Sequence, residues 1–247
     1  MADERKGEQE KHGGLGKALR QAVGYEELGE DEKRRERGRE SILMNEARQD
    51  IFQLLCDRPC AHLRLVARVL KISAPTADWH LGKLVRAGIV SRHMVGKKRV
   101  YFPKDFVVLG DIKTFAMLNK ELPRKILQEL TAEPGLSQTD LRQKLSKGAM
   151  SRCLSDMRDC GILDTITSGR FVHYYIDKGL LARDREYAGR MRQFRRETLK
   201  RFARDGLSPK IVRARENRIE IEVMSGPRTR QLVIHTRPFA FLLSGFR

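Results

Sequence analysis

The stretch from Ser73 to Val90 sets polar, cationic and stacking side chains against an apolar stripe. Ala77, Leu81, Leu84 and Val85 recur at the three-and-four spacing that buries one side of a helix. Pro75, Thr76, Asp78, Trp79, Lys83 and Arg86 fall on the other side. These residue types suit a nucleic-acid duplex. Hydroxyls and cations reach phosphates, an indole packs on sugars or a thymine methyl, and Asp78 either avoids the backbone or accepts from a cytosine amino group. Ser73 can cap the entry, Pro75 fits a first turn where a missing N–H costs nothing, and Gly88 can end the helix in the left-handed region. His80 lies beside the stripe and is expected to be structural.

Three consecutive cations, Lys97, Lys98 and Arg99, follow at a turn and are expected to touch phosphate. The expected DNA-binding set is therefore Ser73, Pro75, Thr76, Trp79, Lys83, Arg86, Lys97, Lys98 and Arg99. A secondary set contains Lys147, Ser151, Arg152 and Arg158, whose face also carries Asp156 and Asp159. Arg170 at a later turn and Arg192, Arg195 and Arg196 on a basic helix complete it. Four cysteines, Cys56, Cys60, Cys153 and Cys160, form no CxxC pair and are read as small apolar residues, with no metal and no cofactor expected. No glycine-rich phosphate loop, HExxH motif or nucleophile elbow is present, so nothing in the sequence points to an enzyme.

The bulk composition agrees. The 247 residues carry 50 Lys and Arg against 32 Asp and Glu, a net charge of +18. Residues 1–40 hold ten basic and eleven acidic side chains, so the remaining 207 residues carry +19. Such an excess favours a polyanion, because each neutralised phosphate releases counterions. No apolar run approaches the roughly 18 residues of a membrane span, and the N-terminus has no apolar signal region. A reduced cytoplasmic, nucleoid-associated protein with no membrane partner is expected. Single-stranded RNA binding ranks last, because most of the sixteen aromatics fall where cores need them.

The elements that must hold these residues read as mainly α with small β-hairpins, an α+β chain. Residues 1–40 form a disordered charged arm. Residues 41–104 give helix, helix, helix, hairpin, the order of a winged helix-turn-helix, with the third helix in a major groove and the hairpin tip beside it. Phe106, Leu109, Ile112, Phe115, Ala116 and Leu118 suggest a connecting helix in residues 105–121. The helix-helix-helix-hairpin order then repeats in residues 122–177. An offset of 73 places Leu81 on Leu154, Leu84 on Met157 and Gly88 on Gly161. Residues 178–205 form a long basic amphipathic helix, with a surplus of seven positive charges between Lys178 and Arg204. Its line of Tyr187, Met191, Phe194, Thr198 and Phe202 suits dimer packing. Residues 206–247 form a C-terminal β-hairpin domain, pairing Arg218 to Val223 with Leu232 to Ile234 and covering Phe239, Phe241, Leu242 and Leu243.

Residues 45–103 resemble the winged helix-turn-helix of archaeal and bacterial ArsR/MarR-type transcriptional regulators. The resemblance rests on Thr76, on Trp79, His80 and Leu81, on Leu84, on Ala87, Gly88 and Ile89, and on Arg99 to Pro103. The whole chain resembles archaeal proteins with two such units in tandem. The second unit has a turn two residues shorter before its third helix and fewer cations at its tip. The resemblance implies a homodimeric regulator that binds double-stranded DNA, with transcription machinery as a further partner. The alternative is a structural or assembly protein of transcription initiation or chromosome organisation, whose winged helices mainly bind other proteins.

Overall fold

A computed structural model of the chain describes residues 42–43, 45–145, 149–204, 207–215, 218–225, 228–235 and 237–239. All of these belong to one compact unit, residues 40–247. The expected charged arm of residues 1–40 lies outside the described residues, as do Lys147 and Phe241, Leu242 and Leu243. Among the described residues are eight α-helices and small antiparallel sheets.

The first elements are α1 (Glu46–Asp57), β1 (Ala61–His62), α2 (Leu63–Leu70), α3 (Ala74–Arg86), β2 (Val90–Val95) and β3 (Lys98–Pro103). Each helix starts where a side chain satisfies an orphan backbone donor. The Asn45 side chain accepts from Arg48 N, His62 Nδ1 from Leu65 N, and Ser73 Oγ from Thr76 N. Lys71, at φ 54°, turns the chain between α2 and α3. Ile51, Leu55, Val66, Ala77, Leu81 and Leu84 are fully buried between these helices. Each of these Ile, Leu and Val side chains contributes about 2 kcal/mol relative to exposure, and Ala77 less. The strands pair in the order β1-β3-β2, and Gly96, at φ +57°, allows the tight β2–β3 turn.

After Pro103 the connecting helix is shorter than expected. A 3-10 turn (Leu109–Asp111) leads into α4 (Ile112–Leu118), and Leu109 is 74% exposed rather than packed. Then come α5 (Glu121–Ala132), α6 (Gln138–Leu145), α7 (Met150–Asp159), β4 (Leu163–Ser168) and β5 (Phe171–Ile176). Their hydrogen bonds repeat those of the first unit. Ile89 N donates to Leu84 O and Ile162 N to Met157 O, both at 3.0 Å. Lys104 N donates to Ile89 O at 2.9 Å and Asp177 N to Ile162 O at 3.0 Å. The bridge Ser137↔His173 stands where His62↔Val100 stands.

The long helix α8 (Lys178–Arg204) follows. Its apolar line is buried as expected, but within its own chain. Phe194 packs edge-on against Phe106 at 4.9 Å, Phe202 against Phe52 at 5.5 Å, and Tyr187 against Phe115 at 5.7 Å. The expectation that this line packs a dimer is therefore corrected: the chain's own aromatics already cover it. The C-terminal hairpin is corrected as well. It is a three-stranded sheet, β6 (Ser208–Ala214), β7 (Arg218–Ser225) and β8 (Arg228–His235), in that order.

That sheet is tied to α1. Gln53 Nε2 donates to Val233 O at 2.7 Å and Gln53 Oε1 accepts from Val233 N at 2.6 Å, so one amide side chain pairs the β8 edge as a strand would. Arg230 pairs with Asp50. Further along, Asp57 and His235 approach to 3.7 Å. Burial raises the Asp57 carboxyl to about 7, against the lowering effects of the Gln53 hydrogen bond and Arg58. Burial, then the Arg218 charge, lowers His235 to about 4. Asp57 titrates above its unfolded value of ~3.9, so its contribution is fully present below that value and is lost as pH rises through about 7. His235 titrates below its unfolded ~6.5, so stability rises across the window from about 4 to ~6.5. The two slopes oppose each other. Asp57→Asn is expected to remove the falling limb, so that the variant gains on the wild type as thermal melts move from about pH 5 to about pH 8. A constant gap between the two proteins would count against this account of Asp57.

Candidate nucleic-acid interface

The first three turns of α3 divide cleanly. Ala77, His80, Leu81 and Leu84 are buried, while Ser73, Pro75, Thr76, Asp78 and Trp79 are exposed. The helix holds its N-terminus open to solvent, where unsatisfied N–H groups and the helix dipole favour a phosphate. Ser73 Oγ and Thr76 Oγ1 are 2.7 Å apart, so the two hydroxyls are fixed as one pair at that end. Trp79 is 55% exposed, unusual for the largest apolar side chain. Lys83 Nζ lies 5.5 Å over its ring, which holds the indole and keeps Lys83 half-buried. Arg86 is exposed and its Nε donates to Gly82 O at 3.3 Å. His80 is structural in position: it is buried, and burial, then the Arg48 charge, lowers its pKa. Its Nδ1 meets no hydrogen-bond partner among the described residues.

The β2–β3 hairpin brings Lys97, Lys98 and Arg99 together at its exposed tip. Sequence reasoning missed Arg92, His93 and Met94, which are also exposed on β2. Met94 pairs with Arg99 and Arg92 with Tyr101, so Arg92, Met94 and Arg99 share one hairpin face. The consecutive polar residues Ser91, Arg92 and His93 on a strand carried that signal. Arg64 and Arg68, exposed on α2, were missed too. They lie near enough to His62 that, after burial and the Lys98 charge, they help to lower its pKa. The cationic surface thus runs from the hairpin tip onto α2.

The secondary candidates are less uniform. Ser151 Oγ accepts from Gln138 Nε2 at 2.8 Å and from Arg142 Nη2 at 3.0 Å, so this hydroxyl is tied to α6. Arg152 and Arg158 are exposed beside half-buried Asp156 and exposed Asp159. The Arg170 guanidinium lies 5.2 Å over the Phe171 ring. On α8, Arg192 and Arg196 are exposed and Arg195 is half-buried, while Arg196 and Lys200 both reach Glu197, at 3.6 and 3.3 Å. Cys56 and Cys60 are buried and Cys153 and Cys160 half-buried. Burial raises all four thiol pKa values, Cys153 to about 11. Among the described residues no three or more His, Cys, Asp or Glu side chains gather to hold a metal ion.

Three packed helices, an exposed third-helix face and a cationic hairpin tip make a known arrangement. Residues 44–91 match the winged helix-turn-helix DNA-binding family. The winged helix-turn-helix thus covers α1, α2 and α3 and enters the wing at β2. A curated relative from Methanocaldococcus jannaschii, described as an uncharacterised HTH-type transcriptional regulator, is 26% identical over 143 residues, 58% of this chain. The chain spans only 36% of that relative's length. A crystal structure of T. acidophilum IdeR aligns over 79% of this chain and 94% of its own at 12% identity, with a TM-score of 0.20, too low to bear on the fold. Among the described residues no helix is long and apolar enough to cross a membrane.

Proposed function

We propose that the chain is a DNA-binding transcriptional regulator that reads duplex DNA through α3 and steadies it with the wing. The observation that carries this reading is the exposed face of α3, with Trp79 at its centre, inside the segment that matches winged helix-turn-helix DNA-binding domains. Pro75, Thr76 and Trp79 meet base edges and sugars in a major groove, while Lys97, Lys98 and Arg99 grip flanking phosphates. Arg192 and Arg196 on α8 add backbone contacts without sequence preference.

The repeated hydrogen bonds of α7, β4 and β5 support a second winged helix in tandem with the first, in the manner of the archaeal ArsR/MarR-type proteins the sequence resembles. Two copies acting together would place two α3 helices on successive half-sites. This reading is not enzymatic and places the protein at the nucleoid. A mobility-shift titration at several salt concentrations tests it. The logarithm of affinity falls steeply with the logarithm of salt, at about 0.9 per phosphate contacted. Trp79→Ala changes the ranking of duplex sequences at fixed salt, whereas loss of the Lys97 charge weakens all of them alike. Salt-independent binding, or an unchanged ranking with Trp79→Ala, would set this face aside.

A further inference from the structure

The two hairpins differ in one respect that shared topology does not explain. At the 73-residue offset, Lys98 of the first stands where Phe171 stands in the second, and His93 where Ile166 stands. The first tip is cationic. The second exposes Ile166 at 58% and Phe171 at 52%. The β4–β5 register puts both on one face: Ile166 pairs with His173 and Ser168 with Phe171, and residues two apart on a strand share a side. The opposite face carries Leu163 and Tyr174 into the core. So the apolar pair lies on the solvent side, where two large hydrophobes side by side are costly to leave uncovered.

Charges bracket this strip at its two ends. Asp164, exposed at the base, is on the same face as Ile166. Arg170, exposed at the tip, lies over Phe171. Among the described residues neither has an ion-pair partner; Asp164 Oδ1 accepts only from Thr165 N, at 2.7 Å. The order along the hairpin is acid, Ile166, Phe171, base. A two-fold axis through the middle of such a strip turns it into its own complement, with Arg170 of one copy over Asp164 of the other and Ile166 against Phe171, each contact made twice.

We propose that the outer face of the β4–β5 hairpin is where a second copy of this chain docks. The inference gives the paired copies of the proposed function their contact and rests on that reading for its use. A cationic wing holds DNA, and an apolar, self-complementary wing holds the neighbour. One hairpin face is small beside the area of a stable interface, so the association is weak in free solution. Two adjacent half-sites raise the effective concentration of one copy near the other, and pairing becomes strong on DNA. The expected dimer contact thus moves from the α8 line, which the chain itself covers, to the second wing.

Sedimentation of the full chain without DNA, over a concentration series, tests the contact apart from DNA binding. The wild type rises from monomer toward dimer mass. Phe171→Asp, at an exposed hairpin position, abolishes that rise with an unchanged thermal melt. Asp164→Arg and Arg170→Asp each raise the dimer dissociation constant by roughly tenfold or more, and the two together restore the wild-type value. A wild type that stays monomeric throughout, a Phe171→Asp chain that still dimerises, or a charge swap that does not rescue would overturn the proposal. A monomeric chain whose second wing is covered by a different protein also overturns it. Intact mobility shifts with no dimer would remove this contact and leave the DNA reading standing.

Discussion

Replacing both Lys97 and Lys98 with glutamate is expected to weaken duplex binding by about a hundredfold near ~0.1 M salt. The two lysines sit at the exposed turn between β2 and β3, where Gly96 reverses the chain. Neither forms an ion pair among the described residues, so both are available to phosphate. Two effects add. The chain loses two phosphate contacts, which lowers the salt slope by about 2. It also gains two anions facing the backbone, whose repulsion is largest at low salt. The loss should therefore shrink as salt rises and be the same for every duplex sequence. Folding is not at risk, because side chains at a solvated turn change stability by less than about 0.5 kcal/mol. A mobility shift and a thermal melt on the same samples decide the matter. An affinity within a factor of about three of wild type would take the wing out of the interface.

Helix α3 and the hairpin after it were legible in the sequence because local rules govern them. A serine cap, a first-turn proline, an apolar stripe at helical spacing and a left-handed glycine are all short-range signals. Ser73, Pro75, Ala77 and Gly88 do what those rules require. Residues matched at the 73-residue offset keep matched hydrogen bonds, such as Ile89 N to Leu84 O and Ile162 N to Met157 O. Strand β6 was not legible. Pro209 gives no strand signal, yet it sits second in an edge strand, where its missing N–H costs little. The bulge between Ile211 and Arg213 also breaks the alternation that would have marked the strand. The partners of the α8 line were hidden for another reason. An apolar stripe announces that something covers it, and the spacing holds no information on whether Phe52, Phe106 and Phe115 of the same chain or a second copy does so. Arg64 and Arg68 were passed over because a cation on a short helix reads as ordinary solvated surface. Only the fold places them beside His62 and the wing.

The junction that holds α8 in place should be the most sensitive point for stability. Arg183 Nη1 meets Asp111 Oδ1 at 2.8 Å, and its Nη2 donates to Gly161 O at 2.7 Å. Tyr187 donates its hydroxyl to Asp111 Oδ2 at 3.0 Å and accepts from Val108 N at 3.0 Å. Phe239 stacks on Phe115 at 4.3 Å and lies 5.8 Å from the Arg183 guanidinium. Asp111 and Arg183 thus bind the turn before α4, the end of α7 and the long helix together. Truncation of Arg183 leaves Asp111, whose side chain is 9% exposed, without its cation. Breaking a buried pair in this way costs about 3–5 kcal/mol, because the remaining charge is uncompensated. Arg183 is itself 28% exposed, so entering water offsets part of that cost, and the lower end of the range is expected. Tyr187→Phe should cost about 1–2 kcal/mol, since Arg183 still neutralises Asp111. The two changes touch one network and should not add. The control is Arg183→Met combined with Asp111→Leu. If uncompensated charge is the cause, that apolar pair recovers much of the stability that Arg183→Ala loses. Urea unfolding followed by helix circular dichroism measures all four variants. An Arg183→Met, Asp111→Leu chain as unstable as Arg183→Ala would show that the hydrogen bond from Arg183 to Gly161, and not the charge on Asp111, holds the junction.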